Sequence, residues 1–350
     1  MKQNFLGYKL RLARTFHNMT LAELGEMVSA SRQYMQRLET DDETCPSAEM
    51  LAALADVLKI DVAFLFDRID EVREDQGHFR KLQTTPLRVR STVLSYGTIF
   101  TVLVKQLEGY LDLPPINIPK VEIGSKLDIE CAAETCRKVW GLGLDAPIVN
   151  MVRALESAGI VVTSFEGVSE KVDAFSLVRG RPIIVRNLDK DSTSRSRFDL
   201  AHECGHFVMH DGIVTGETDT EAEANHFASA FLLPRSAFVR EFPKTRTIDW
   251  PQMFEMKKRW RVSLQAIVRR AYDLGILSPV QYRNAQVYIS RMGWRKNEPF
   301  EPPIETPEII PASIRYLQEE EGVTVADLAD SLHITTEMLK ALGVVDFFVE

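Results

Sequence analysis

The chain has 350 residues, 45% hydrophobic and 26% charged, with a net charge of −8 from 42 basic and 50 acidic side chains. That composition belongs to a soluble globular protein of two to three domains with ample core to bury. No apolar run approaches the roughly 20 residues that cross a bilayer, so no membrane contact is expected. Met1 to Thr20 lacks the continuous apolar stretch of a secretory signal. The four cysteines, Cys45, Cys131, Cys136 and Cys204, contain no CxxC pair and are too sparse for a disulfide scaffold; reduced thiols in a cytoplasmic protein are expected. Charge is uneven. Residues 254–297 carry ten basic side chains against two acidic, and 298–350 two against twelve.

The first seventy residues are patterned as short helices. Thr20 and Glu23 have the spacing of a capping box, followed by Leu21, Leu24 and Val28 on one apolar stripe. Ser31 caps a second helix with Tyr34, Met35 and Leu38 inward. Ser47 opens a third, with Leu51, Leu54, Ala55 and Leu58 inward, and Asp61 caps a last turn carrying Phe64 and Leu65. Two short helices joined by a tight turn are the layout of a helix-turn-helix DNA reader, although a solvated helical bundle has the same pattern. In the DNA-reading case Ser31, Arg32, Gln33, Gln36 and Arg37 face the major groove of a double-stranded operator.

The run from Phe5 to Phe66 resembles the Xre/Cro/phage-repressor helix-turn-helix family. The resemblance rests on the leading Leu-Arg-Arg helix, "MTLAELGEMVSAS", the Leu38-Glu39 pair and "PS…LAALADVLKI". It departs where the family has Gly, since Thr40-Asp41-Asp42-Glu43 stands there. Eight basic against eleven acidic residues in 1–70 point to DNA binding that is weak for one copy or depends on a homodimer.

Residues 71–125 begin with a charged stretch and continue into one long amphipathic helix that joins domains or pairs with a second chain. "DLPPINIP" then breaks the helix. Two helices near 128–140 and 148–158 and a short strand, "GIVVTSFEG", follow. Two strands joined at Arg179-Gly180-Arg181 form a hairpin, over Val172 to Val185, whose edge suits an extended peptide. Asp173 near its start is a candidate to support the site.

His202-Glu203-Cys204-Gly205-His206 is an HExxH pattern. On a helix, positions i and i+4 share a face, so both imidazoles reach one Zn²⁺ while Glu203 stands ready to take a proton from water. Two structural histidines on an ordinary helix are the plainer alternative. A third ligand is open among His210, Glu221, Glu223 and His226. With Phe227, Ala230 and Phe231 marking the buried stripe of the next helix, Glu223 lies on that stripe and is preferred, with His226 its main rival.

The segment from about Asp128 to Pro307 resembles the ImmA/IrrE family of zincin-like metallopeptidases. The likeness rests on "DAFS", "RFDLAHECGHFVMH", "EAEANHFASAFLLP", "WRVSLQAIVRRAYDLGIL" and "GWR…EP". It implies zinc on His202, His206 and Glu223, with Glu203 as general base, and cleavage of a partner regulatory protein such as a repressor or antitoxin. Cys204 stands where the family has an aliphatic residue and is expected to be a small buried hydrophobe.

In "KKRWRVSLQAIVRRAYDLGIL", Trp260, Val262, Ile267 and Leu274 or Leu277 are expected in the core, and Lys257, Lys258, Arg259, Arg269 and Arg270 outside. The expected fold class is mostly α with a small β-sheet. An all-α helix-turn-helix domain (1–70) is followed by a helical linker (71–125), a zincin-like domain (126–307) and a small acidic helical unit (308–350) suited to packing or partner docking. The alternative function is an antitoxin-like repressor whose zincin domain binds its partner without turnover.

Overall fold

The computed structural model describes residues 4–41, 43–72, 77–79, 86–165, 174–186, 192–213, 215 and 217–344. The chain opens with α1 (Gly7–Phe16), α2 (Leu21–Met27), α3 (Arg32–Thr40) and α4 (Ala48–Leu58), then a 3-10 turn at Val62–Leu65. Each start after the first has its cap. Thr20 and Glu23 close a reciprocal capping box, and Ser31, Ser47 and Asp61 accept from the backbone N–H of Tyr34, Met50 and Ala63. The turn between α2 and α3 is tight because Gly25 has no side chain; a Cβ there would stand 2.7 Å from the Ala30 carbonyl. Arg14 then locks three elements together. It donates to both oxygens of the buried Glu39 on α3, at 2.6 and 2.8 Å, and to the Met19 carbonyl at 2.6 Å.

The middle of the chain supplies β1 (Gly77–Phe79), α5 (Leu87–Tyr110), α6 (Lys126–Val139), α7 (Met151–Ser157), β2 (Val161–Thr163), β3 (Ala174–Arg179) and β4 (Arg181–Arg186). The sheet order is β1-β3-β4-β2, with β2 parallel to β4 and the other pairs antiparallel; Gly180, at φ 70°, makes the β3–β4 turn. Next come α8 (Thr193–Met209), α9 (Thr218–Leu232), α10 (Arg235–Glu241), α11 (Trp250–Trp260), α12 (Leu264–Asp273) and α13 (Pro279–Arg291). The chain ends with α14 (Ile309–Glu320), α15 (Val325–Ser331) and α16 (Thr336–Ala341). The fold is mostly helical with one small sheet, as the sequence pattern predicts.

The sheet is buried on both faces, which explains strands with no polar alternation. Val162 and Ile184 face a core shared with α8, while Val161, Phe175, Leu177, Ile183 and Val185 face one shared with α5. The α5 helix is therefore not a free connector or a pairing helix for a second chain. It carries ten buried residues, and Gly97 lets it settle on β3, where a Cβ would lie 2.5 Å from Leu177 Cδ1. Its other side receives α1, through a stacked Phe16–Tyr96 pair at 4.0 Å and a Thr15–Ser95 hydroxyl contact at 2.5 Å. The C-terminal helices join the same core through Ile310, Ile314, Leu317, Leu328 and Leu339.

Two expectations fail in an instructive way. The hairpin edge on β3 is not open, because β1 pairs along Phe175–Leu177. Lys257 and Arg270 are not solvated either. Lys257 donates to Glu298 and Glu301 at 2.8 and 2.5 Å, and Arg270 to both oxygens of Glu130 at 2.5 and 2.7 Å. Lys258, Arg259 and Arg269 do face outward.

The Arg14–Glu39 fork has side chains only 11% and 5% exposed, so removing one partner strands a buried charge. Glu39→Ala is expected to lower unfolding free energy in urea by about 3 kcal/mol. A loss within about 0.5 kcal/mol, the range of ordinary surface substitutions, would show that the fork carries no stability.

Candidate metal centre

The site is built on α8, whose start is capped by Ser192. Arg197, Asp199 and every residue from Leu200 to Met209 on this helix are buried. Glu301 holds the start of α8, accepting from the Ser194 N–H at 2.9 Å and the Ser194 hydroxyl at 2.9 Å. The spacing of four puts His202, His206 and His210 in one column, with successive ring centroids 4.8 and 5.1 Å apart. Opposite lies α9, brought close at Gly205, where a Cβ would stand 3.0 Å from the Phe227 ring.

Three donors converge. His202 Nε2 lies 3.1 Å from His206 Nε2, and the two oxygens of Glu221 lie 3.3 and 3.4 Å from these nitrogens. A tetrahedral ion with bonds of about 2.0–2.1 Å separates its ligands by about 3.3 Å, so these edges fit one Zn²⁺-sized cation. The chemistry of the set also fits, being two imidazoles and one carboxylate. Glu221 Oε1 is buried without a hydrogen-bond donor, which a cation would satisfy.

Glu223, the expected third ligand, does not join this group. Its Oε2 meets His210 Nε2 at 2.9 Å, and Glu221 takes the place assigned to it. The reason is helix phase. The second half of α9 is buried almost all round, so Phe227 and Ala230 do not fix which side faces α8. The contacts with α8 do: Glu221 and Asn225, one turn apart on the same face, both meet His202, whereas Glu223 meets His210. His226 is also elsewhere, paired with Glu130 at 2.8 Å beside Arg270.

The outer contacts orient the inner ones. His202 Nδ1 lies 3.2 Å from Asn225 Oδ1, and His206 Nδ1 lies 2.9 Å from His210 Nδ1. One tautomer set satisfies them all. His202 donates Nδ1–H to Asn225, His206 donates Nδ1–H to His210, and His210 donates Nε2–H to Glu223, leaving both inner Nε2 lone pairs aimed at Glu221's side. Ser176, buried on β3, donates to Glu203 Oε2 at 2.5 Å. Neither Asn225 nor Ser176 was singled out by sequence reasoning, although both stand inside the quoted runs "EAEAN" and "DAFS". Asp173 lies outside the described residues. Cys204 is buried against Cys136, which suits a small hydrophobe.

Residues 155–272 match a peptidase family described as the IrrE N-terminal-like domain, and residues 10–65 match the family described as helix-turn-helix. The chain joins these two domains. No curated protein matches it. Within the helix-turn-helix domain, Ser31, Arg32, Gln33, Gln36 and Arg37 are all exposed at the head of α3 and along it. Ser31 spends its hydroxyl on the cap, and the Arg37 guanidinium lies 5.8 Å from the Tyr34 ring. Asp41, at the far end of α3, is held below the usual carboxylate range by the Thr44 hydroxyl and the Glu43 N–H, so a negative charge persists there.

In the IrrE-like domain burial pushes His206 down from 6.5 to about 4, which keeps the imidazole neutral and fit to donate a lone pair. Burial raises Glu221, but its interactions with His202 and His206, as those rings take up protons, outweigh it and bring the carboxyl to about 2. Both shifts have the same sign for stability. The unfolded chain takes up the proton first, so His206's contribution is complete above pH 6.5 and lost toward pH 4. That of Glu221 is complete above 4.5 and lost toward 2. In chelator, the protein is expected to lose about 2 kcal/mol of stability between pH 7 and pH 5 through His206. Urea titrations of wild type and His206→Gln at both pH values check this, since only the wild type carries that increment. Parallel profiles would contradict it.

Proposed function

We propose that the protein is a DNA-binding regulator whose IrrE-like domain is a zinc-dependent endopeptidase acting on a partner regulatory protein. The observation that carries the peptidase reading is the convergence of His202, His206 and Glu221 at 3.1 to 3.4 Å beside Glu203. Zinc held by these three residues would supply a Lewis acid for a peptide carbonyl and bring the pKa of water toward about 7. The remaining work falls to the chain. Glu203, with Oε2 fixed by the Ser176 hydroxyl, takes the proton of the attacking water and returns it to the leaving nitrogen. Glu223, through His210, holds the His206 ring so that Nε2 faces the centre. DNA binding is supported by the helix-turn-helix match and by the exposed donors and acceptors of α3.

A second reading, partner binding without turnover in the manner of an antitoxin, is favoured by burial. His202, Glu203 and His206 are at most 1% exposed, and β3, which carries Ser176, is paired on both sides. Under the peptidase reading the same burial means activity that waits for an opening of the site.

Zinc content separates the ligand sets. The wild type is expected to bind close to one equivalent. Glu221→Ala should lose it, whereas Glu223→Ala should keep a site weakened by about 10–100-fold. Zinc retained in Glu221→Ala and lost in Glu223→Ala would return the third ligand to Glu223. For turnover, the test is mass-spectrometric mapping of new N-termini in host lysate incubated with zinc-loaded protein. Cleavage by wild type should fall by a factor of about 10²–10⁴ in Glu203→Gln. Equal patterns from the two would favour binding without turnover.

A further inference from the structure

The last helices of the chain repeat a piece of the first domain. Residues 326–339, "ADLADSLHITTEML", align without gaps on residues 52–65, "AALADVLKIDVAFL", and agree at seven of fourteen positions. The backbones agree as well. Lys59 and His333 occupy the same left-handed conformation, at φ 54° and 58°. Ile60 N–H donates to the Ala55 carbonyl and Ile334 N–H to the Ala329 carbonyl, each at 3.1 Å. Asp61 and Thr335 each cap the turn that follows.

These two copies face each other. Ile60 and Ile334 form an antiparallel bridge, with Asp61 N–H donating to the His333 carbonyl at 2.9 Å and Thr335 N–H to the Lys59 carbonyl at 3.2 Å. Exchanging one segment for the other turns each bond into its partner, so the contact has a local two-fold axis. Ile60 and Ile334 are 7% and 4% exposed, buried by this pairing within one core.

We propose that the Lys59–Asp61 edge of the helix-turn-helix domain is a self-association surface for a second copy of this chain, and that the α15–α16 unit covers it in cis as a likeness of that copy. An edge that pairs with its own likeness about a two-fold axis meets the requirement of an isologous dimer, in which Ile60 meets Ile60 and Lys59 and Asp61 exchange the same two backbone bonds. Being tethered, the unit holds the edge at an effective concentration that a free second copy does not match. It is also anchored away from the edge. Gln106 of α5 donates to Ser331 at 2.5 Å, and Thr163 at the end of β2 donates to the Leu342 carbonyl at 3.3 Å. Displacement of β2 or α5 therefore loosens the cover. Paired recognition helices on a two-fold operator follow only if the DNA-binding reading holds; the self-association does not depend on it.

Sedimentation equilibrium of the full-length, zinc-loaded protein tests the proposal. Ile334→Asp weakens the cover and leaves the edge intact, so it should self-associate at least about tenfold more tightly than wild type, a gain of about 1.4 kcal/mol. Ile60→Asp added to Ile334→Asp should abolish the gain. Thr335→Pro deletes one bridging N–H at a compatible φ of −82°, together with the cap on Met338, without exposing apolar surface, and should act in the same direction even if Ile334→Asp is misfolded by circular dichroism. Self-association unchanged in folded Ile334→Asp or in Thr335→Pro, or a gain that survives Ile60→Asp, overturns the proposal.

Discussion

The close approach of α8 and α9 at Gly205 is the constraint on which the site depends. With Phe227 against a glycine, the helices come near enough for first-turn residues of α9 to reach across to the α8 column. Glu221 and Asn225, four apart, then meet His202 from two sides, while Glu223, on the neighbouring face, meets His210. A side chain at position 205 would meet the Phe227 ring at 3.0 Å and press on the packing that sets the carboxylate against the imidazoles. The close fit also removes water, so the polar atoms inside must satisfy one another. The hydrogen-bond chain from Glu223 to His206 does this for the ring nitrogens. The acceptor that it leaves over, Glu221 Oε1, is at the point where the three donors converge.

Buried charge elsewhere in the molecule is arranged to hold this pair of helices. Arg137 donates to the Phe231 carbonyl at 2.6 Å, near the end of α9, and Arg270 reaches the Leu233 carbonyl while gripping Glu130. Arg197 on α8 pairs with Glu305, which also accepts from the Met151 N–H at 2.8 Å at the start of α7. Glu298 and Glu301 take Lys257, and Glu301 covers the head of α8. Lys257 is thus where the basic segment meets the acidic one that follows it, while Arg259 and Arg270 turn to Glu241 and Glu130 from elsewhere in the chain. Each of the paired ions is stabilising only as part of its pair, since desolvation alone would expel it, whereas Arg137 is held by carbonyl oxygens.

Much of this is legible in the sequence. Capping residues announce each helix of the first domain after the leading one, and the HExxH spacing alone puts the histidines on one face. What is hidden has a common cause: long-range contact decides it. Periodicity assigns Lys257 and Arg270 to an outer face because a helix wheel does not show Glu298, Glu301 or Glu130 arriving from elsewhere. The phase of α9 is ambiguous for the same reason, because its second half is buried almost all round and only the contacts of Glu221 and Asn225 with His202 show which side faces the histidines. The edge of β3 looks free because three residues of a distant segment, Gly77–Phe79, have no strand pattern of their own.

The sheet is where the two halves of the protein meet mechanically. On β3, adjacent residues point to opposite faces, so Leu177 packs under Gly97 of α5 while Ser176 donates to Glu203. The helix-turn-helix domain rests on the far side of α5 through Phe16 and Tyr96. Close-packed interiors transmit displacement instead of absorbing it, and a hydrogen bond of 2.5 Å has little room to lengthen before it breaks. At Gly97 α5 meets the Leu177 side chain, which stands beside Ser176 on the strand that positions Glu203. The first domain is thus joined by packing to the candidate metal centre through one helix and one strand. That is a shorter route than the separation of the two matched segments along the chain would suggest.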